Sequence, residues 1–265
     1  MNVKMEVWNM RKYYGFIFVI FFLICFHRIP VSASDTDIEN YPRIMAEEFC
    51  NEVSANSSLI FGVKIKESIE EWTVKISPGK MELTNGLPKE PTFCFVTDKE
   101  TFLKIATKKM NPLTAMARAR MNEPAPMDVI PLNGFVPDKE FIGKLLPLTY
   151  SFFITGAPEI IYFGEEFSRK VHGGKAVAFY YTPGLRSAWY KVKKGMMINK
   201  DFEKSPNPFP SYFIVIKGKG KAKIGEKEIE LREEMGFLVP AGAPHQFWVE
   251  EGEMEFIVIM FGKGA

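Results

Sequence analysis

The chain has 265 residues, 46% of them hydrophobic and 14% aromatic, which is enough for one large or two small domains with packed cores. Its formal charge is +2, and Lys4, Arg11, Lys12 and Arg28 lie in the first 33 residues with only one acid, so the remainder is close to neutral. That balance excludes the strongly basic surface that is typical of nucleic-acid binding, and we expect no nucleic-acid partner.

Residues 1–33 have the order of a secretory leader. Arg11 and Lys12 precede an apolar run over 13–26, and Val31-Ser32-Ala33 provides small residues for cleavage. The run is shorter than the roughly 20 residues of a membrane-spanning helix, so we predict a signal peptide. The alternative is an N-terminal anchor that is not cleaved. In both cases we expect export, periplasmic or secreted, with membrane attachment if 13–26 is retained.

Residues 34–150 show helical and strand patterns. Apolar residues at helical spacing predict a helix over 35–53, and alternating apolar residues predict strands over 59–65, 72–76 and 92–96. The sequence therefore predicts an α+β domain in this part of the chain.

Helix boundary signals follow the third of these strands. Thr97-Asp98-Lys99-Glu100 has the spacing of a capping box with the threonine as cap, and Pro112 is expected to open a short second helix that reaches residue 120. Residues 122–137 contain four prolines and are predicted to be a loop. Asp138 is expected to cap a final helix that Pro147 stops.

This order of elements resembles that of the sterol carrier protein type 2 family over residues 44–146. The resemblance rests on 91–106, a strand that leads into an acidic-capped helix, and on 110–116, a short element opened by Asn-Pro. It implies a twisted sheet covered by helices, with an apolar tunnel that binds a lipid or another hydrophobic small molecule. The candidate ligand-binding residues are Phe102, Leu103, Ile105, Met110, Leu113, Met116, Phe141 and Leu145. For any one of them taken alone, ordinary packing in the core is the preferred interpretation.

Two cysteines follow the predicted leader. Cys50 is expected on a helix face and Cys94 in an apolar strand. An exported pair can form a disulfide, but free cysteine is usually buried, so two unpaired buried thiols are the preferred interpretation.

From about Tyr150 the helical stripes give way to short apolar runs between Gly and Pro, which predicts an all-β barrel or sandwich over 151–265. The predicted strands are 176–181, 187–192, 212–216, 221–224, 228–231, 237–239, 246–249 and 255–261. Pro240-Ala241-Gly242-Ala243-Pro244-His245 and the Gly-rich 212–220 resemble the two motifs of the cupin superfamily, over 176–261 in all. The resemblance implies a cupin-like β-barrel that pairs into a homo-oligomer.

The usual metal ligands of the cupin motifs are missing. In metal-bearing cupins the two motifs supply three histidines and a glutamate, and here three of those positions fall near Ser205, Asn207 and Ser211. Only His245 remains, and His172 does not complete a set, since catalytic metal sites generally use three protein ligands. We therefore expect no metal and no other cofactor, and interpret His245 as a packed or hydrogen-bonded residue of the cupin pocket.

Lysine alternates along one predicted strand. Lys217, Lys219, Lys221 and Lys223 would share one face. This strip could rest on the anionic headgroups of a membrane surface. The preferred alternative is a solvated sheet edge that lysine protects against aggregation.

These features predict an exported or membrane-tethered carrier or sensor of a lipid-like molecule, without enzymatic activity. The cupin-like domain would serve dimerisation or docking. One alternative is a cofactor-free cupin enzyme that uses His245 as acid or base. The other is a purely structural protein that acts in assembly.

Overall fold

The fold is given by a computed structural model, which describes residues 38, 40–52, 58–78, 80–118, 123–156 and 159–265. The predicted leader lies outside these residues. Two sheets dominate, one of five strands and one of nine. Residues 38–156 are termed the N-terminal region and residues 159–265 the barrel region. Within the described part of the chain, no helix combines the length and hydrophobicity that crossing a membrane requires.

The N-terminal region is a mixed sheet with helices. Its described helices are α1 (Asn40–Glu52), α2 (Lys99–Ala106), α3 (Pro112–Met116) and α4 (Phe141–Phe153). Its strands are β1 (Leu59–Ile65), β2 (Glu71–Ser77), β3 (Lys80–Asn85), β4 (Thr92–Thr97) and β5 (Met127–Leu132). The sheet order is β3-β2-β1-β4-β5, with β1 and β4 parallel and every other pair antiparallel. The predicted α+β fold is confirmed, although β3 was not predicted.

The N-cap of α2 is Asp98. Its carboxylate accepts a hydrogen bond from the backbone N–H of Thr101 at 2.7 Å, as a good N-cap does. The prediction that Thr97 caps this helix was wrong, because β4 continues through Thr97 and buries it. Glu100 does not reach back to the cap but pairs with Lys104 one turn later.

Two predictions that rested on proline were also wrong. The predicted loop over 122–137 contains β5, which pairs with β4 at the edge of the sheet. An edge strand tolerates Pro131 because one side of it needs no N–H donor. Pro147 does not stop α4, which continues to Phe153. The burial of Phe152 and Phe153 in the core compensates for the hydrogen bond that proline removes.

The barrel region is a curled antiparallel sheet, so the predicted all-β fold is confirmed. Its strands are β6 (Arg169–Val171), β7 (Gly174–Thr182), β8 (Leu185–Lys193), β9 (Met197–Ile198), β10 (Ser211–Ile224), β11 (Lys227–Arg232), β12 (Gly236–Val239), β13 (His245–Trp248) and β14 (Glu253–Phe261). The main order is β6-β7-β8-β14-β10-β13-β9, and β11 and β12 also pair with β10.

Strand β10 joins what we predicted as two strands, 212–216 and 221–224. The chain continues across the gap through an irregularity between Val215 and Lys217, followed by Gly218 at a φ of 75°. A Cβ on Gly218 would lie 2.1 Å from the carbonyl oxygen of Glu253. Glycine is therefore required here by a close approach to β14, which the sequence pattern suggested only as a break.

Candidate functional site

Seven of the eight predicted ligand-binding residues lie in the core of the N-terminal region. Phe102, Ile105, Met110 and Leu145 are buried in it, whereas Leu103, Met116 and Phe141 are half-buried at its margin. The eighth, Leu113, is buried on α3, a helix that contacts both α4 and strand β7 of the barrel region. The structure thus brings most of the predicted set together around one apolar interior.

Aromatic rings fill much of this interior. Phe61 packs edge-on against Phe152 with ring centroids 4.9 Å apart, and Trp72 stacks on Phe102 at 6.3 Å. Phe141, at the start of α4, lies edge-on to Phe93 at 5.2 Å. Such ring pairs add to the stabilisation from area burial, so the predicted site residues also hold the domain together.

A small pocket opens where α2 and α3 meet the chain after α4. Ile105, Met110, Asn111 and Pro112 line one side, and residues 160–162 are among those on the other. Its cavity volume is about 20 Å³, which is room for a water molecule rather than an acyl chain. A lipid would therefore need side chains around this pocket to move.

Helix α3 forms hydrogen bonds with the barrel region, several of them through its N-terminal residues. The Asn111 side chain accepts a hydrogen bond from Thr114 N–H at 2.8 Å and donates to the carbonyl of Ala178 at 2.7 Å. Arg169 on β6 donates from Nε to the carbonyl of Thr114 at 2.6 Å. The Asn-Pro signal predicted the start of this helix, but nothing in the sequence indicated that its cap would bond a strand residue 67 positions away.

His245 is buried in the barrel. Its backbone N–H donates to Oγ of Ser205 at 2.7 Å, and its Nδ1 lies 3.0 Å from the carbonyl of Ala243. Phe213 and Phe247 pack against the ring at centroid distances of 6.2 and 5.8 Å. Burial lowers the pKa of His245 below its usual value, so the neutral form is favoured near pH 7. This environment fits the interpretation of a packed, hydrogen-bonded histidine.

The barrel residues do not fit a cupin metal. Ser205 already accepts from His245 and donates to the carbonyl of Phe202 at 2.6 Å, while Ser211 offers one hydroxyl that is buried without a hydrogen-bond partner. Hydroxyl oxygens bind transition metals poorly. In the described part of the chain, no three His, Cys, Asp or Glu side chains come together as a metal site would require.

The alternating lysines do not form a free basic strip. Lys217 pairs with Glu253 at 3.1 Å, and Lys221 pairs with Glu250 at 2.9 Å. The edge interpretation was also wrong, because β10 is paired on both sides. Lys191, on β8, lies among three carboxylates, the nearest being that of Glu253 at 2.9 Å. Lys217, Lys221 and Lys191 therefore act within ion-pair networks on the sheet.

In the part of the chain that the structure describes, Cys50 and Cys94 do not form a disulfide. Cys50 is half-buried on α1, and Cys94 is fully buried in β4 beside Gly62. Burial raises the pKa of the Cys94 thiol to about 12. That thiol is therefore protonated and unreactive at neutral pH.

The fold and these sites define an α+β domain with an apolar core, followed by a cupin-like barrel whose described residues bring no set of metal ligands together. Residues 46–122 match the SCP-2 sterol transfer family, and residues 200–260 match the cupin domain. Both predicted resemblances are confirmed.

Solved structures that are similar to part of the chain include cupin 2 conserved barrel domain proteins. A cupin 2 conserved barrel domain protein from Salinispora arenicola is 14% identical, with a TM-score of 0.36, over 40% of this chain and 91% of its own. A protein from Photorhabdus luminescens is 16% identical, with a TM-score of 0.35, over 39% of this chain and 88% of its own. No curated protein matches the chain significantly.

Proposed function

We propose that the N-terminal region binds a lipid-like hydrophobic small molecule and that the protein acts as its carrier or sensor. The observation that carries this proposal is the match to the SCP-2 sterol transfer family over residues 46–122. The interior of that region supports it, because a large cluster of apolar side chains forms its core, and the buried polar side chains described there are threonines. An apolar ligand would leave no polar group there without a partner.

Methionine makes this interior adaptable. Met45, Met110 and Met127 are buried in the core, and Met81 and Met116 are half-buried against it. Unbranched methionine side chains change conformation at little cost and accommodate varied shapes. A ligand larger than the small pocket beside α2 could therefore be admitted by movement of methionines rather than of the sheet.

Exposed apolar side chains lie beside the half-buried Phe141. Ile142 follows it on α4, and Val136 follows Phe135, whose ring lies 5.3 Å from that of Phe141. Val136 and Ile142 are 83% and 57% exposed. An apolar rim of this kind suits the entry of a hydrophobic ligand or contact with the membrane that delivers it.

Export, tethering and pairing complete the proposal. The order of residues 1–33 favours export, with a mature chain that begins at Ser34 or one that 13–26 holds at the membrane. Intact mass of the membrane and soluble fractions distinguishes these two forms. The barrel region would serve as a dimerisation or docking module, and light scattering on the purified chain tests dimerisation.

Ligand binding is tested with a fluorescent fatty acid and a Met116→Trp variant. If Met116 lines a space that the ligand uses, tryptophan fills it, and the probe is lost while the melting temperature stays unchanged. Ile69 is 95% exposed in the same region, so Ile69→Trp is the matched control and should bind like the parent. Absence of probe binding in the parent, together with a lower melting temperature for Met116→Trp, would contradict the proposal, because overpacking a filled core costs about 1–3 kcal/mol.

A further inference from the structure

One row of side chains crosses the barrel sheet and includes two polar groups. The strand registers place Arg169 beside Ala176, Ala176 beside Tyr190, Tyr190 beside Phe256 and Phe256 beside Val215. Directly paired residues share one face of a sheet. Phe256 and Val215 belong to the apolar core of the barrel region, and Tyr190 packs against it, so this face is the barrel interior. Arg169 and Tyr190 therefore stand on the same interior face as the apolar core.

The Arg169 guanidinium is incompletely satisfied. A guanidinium carries five N–H donors, and here Nε donates to the carbonyl of Thr114 at 2.6 Å. Nη2 is buried and has no hydrogen-bond partner. Among the described residues, no carboxylate lies within ion-pair distance of Arg169. Burial lowers the pKa of Arg169, which reflects how unfavourable it is to enclose a cation without a counter-charge.

Tyr190 provides a second polar group in the same row. Burial raises the pKa of the Tyr190 hydroxyl, Tyr181 adds to that rise, and the charge of Arg169 opposes it. Arg169 lies two strands away in the same row of the sheet, with Ala176 between them. The Tyr190 ring stacks on Phe256 with centroids 5.6 Å apart and an angle of 12° between their planes. Phe213 and Phe247 lie against Phe256 at 5.6 and 5.5 Å. Arg169 and Tyr190, together termed the polar corner, thus share the interior face with this cluster of aromatic rings.

The other titratable groups near Arg169 leave its charge uncompensated at short range. Glu123 raises the pKa of both Arg169 and His172, but it forms no ion pair with Arg169 among the described contacts. Burial lowers the pKa of His172 and of His245, so both imidazoles are neutral at pH 7. Arg169 therefore has no carboxylate within ion-pair distance among the described residues, and Glu123 offsets its charge only in part.

We propose that this corner binds the carboxylate of a small molecule whose apolar or aromatic body lies against Tyr190 and Phe256. Arg169 binds the carboxylate through the guanidinium donors that Thr114 does not use, and the Tyr190 hydroxyl donates to the same group. Guanidinium and carboxylate match in geometry and form charge-assisted hydrogen bonds. This site lies in the barrel region and does not depend on lipid binding in the N-terminal region.

Calorimetric titration with simple probes tests this site. Benzoate and decanoate carry the charge on an aromatic and on a long aliphatic body, whereas benzamide has the shape of benzoate without the charge. We expect benzoate to bind the parent and benzamide to bind about 10- to 100-fold more weakly, as is usual when a charged hydrogen-bond partner is lost. Benzoate should bind Met116→Trp as it binds the parent, which separates this site from the proposed lipid site.

Three variants assign the binding to these residues. Arg169→Met keeps the apolar stem and removes the cation, so benzoate binding should fall about 10- to 100-fold. Tyr190→Phe should weaken benzoate binding several-fold. Arg169→Lys should give an intermediate affinity, because the ammonium group of lysine keeps the charge but cannot form the two parallel hydrogen bonds of a guanidinium. The melting temperature without benzoate reports whether each variant folds. If Arg169→Met does not fold, the benzoate affinities of Tyr190→Phe and Arg169→Lys provide the test. Parent protein that binds neither carboxylate, or an arginine variant that binds benzoate as tightly as the parent, would overturn the proposal.

Discussion

The hydroxyl of Thr114 on α3 accepts a hydrogen bond of 2.8 Å from the backbone N–H of Ala178 on β7. The carbonyl of the same Ala178 accepts from the Asn111 side chain. The pairing of β7 with β8 shifts register between Ala178 and Tyr180. Both polar groups of this strand residue are therefore satisfied by the capped end of a helix from the N-terminal region.

Replacement of Thr114 by valine should destabilise the protein. Valine has nearly the shape of threonine but cannot accept a hydrogen bond, so the buried N–H of Ala178 loses its partner. We expect the free energy of unfolding to fall by about 1–3 kcal/mol, measured by urea denaturation. Thr114→Ser keeps the hydroxyl and is the control, and it should lose less. Equal losses for both variants would mean that the hydrogen bond contributes little.

Gly218 should not tolerate a side chain. It has a φ of 75°, and an added Cβ would meet the carbonyl oxygen of Glu253 at 2.1 Å. Gly225 also has a positive φ, of 55°, but nothing lies within 4 Å of its added Cβ. Gly225→Ala should therefore cost about 1 kcal/mol from backbone strain alone, and Gly218→Ala clearly more. Thermal denaturation compares them, and similar melting temperatures would contradict the close approach of β10 to β14.

Local patterns in the sequence were sufficient where one face of an element is buried. The alternation in 59–65 predicted β1 with its bounds, and the apolar stripe through Phe102 and Ile105 predicted α2. The prolines led to a wrong prediction of a loop over 122–137. Pro131 is compatible with a strand at the edge of a sheet, but that position depends on the pairing of β5 with β4, which a local pattern does not show. The polar corner could not be predicted for the same reason. Arg169 resembles any surface arginine until the sheet register places it in one row with Tyr190.

Stability should decrease as the pH falls below neutral. Burial lowers the pKa of His245 and His172 in the folded protein, whereas histidine in the unfolded chain titrates near pH 6.5. Below about pH 6.5 the unfolded chain therefore binds protons that the folded protein does not, so stability is complete above that pH and declines towards the lowered pKa. We expect the melting temperature to drop between about pH 7 and pH 5. His245→Gln should reduce that drop, and an unchanged profile would contradict the assignment to His245.

The barrel should contain no tightly bound transition metal. Ser205, Asn207 and Ser211 stand where ligands would be expected, and side-chain oxygens of serine and asparagine bind such ions weakly. Elemental analysis of protein purified without a histidine tag should find zinc, iron, manganese and nickel well below one per chain. A stoichiometric metal that His245→Ala removes would contradict this account.

Native mass spectrometry of the purified chain, followed by organic extraction, tests ligand binding most directly. If the N-terminal region carries a lipid-like molecule, part of the protein will have a mass above that of the chain, and extraction will remove the excess and release an apolar compound. The excess should be absent from Met116→Trp and retained in Ile69→Trp. A parent protein that shows only the mass of the chain, and that takes up no fatty acid when one is supplied, would contradict the lipid-carrier account.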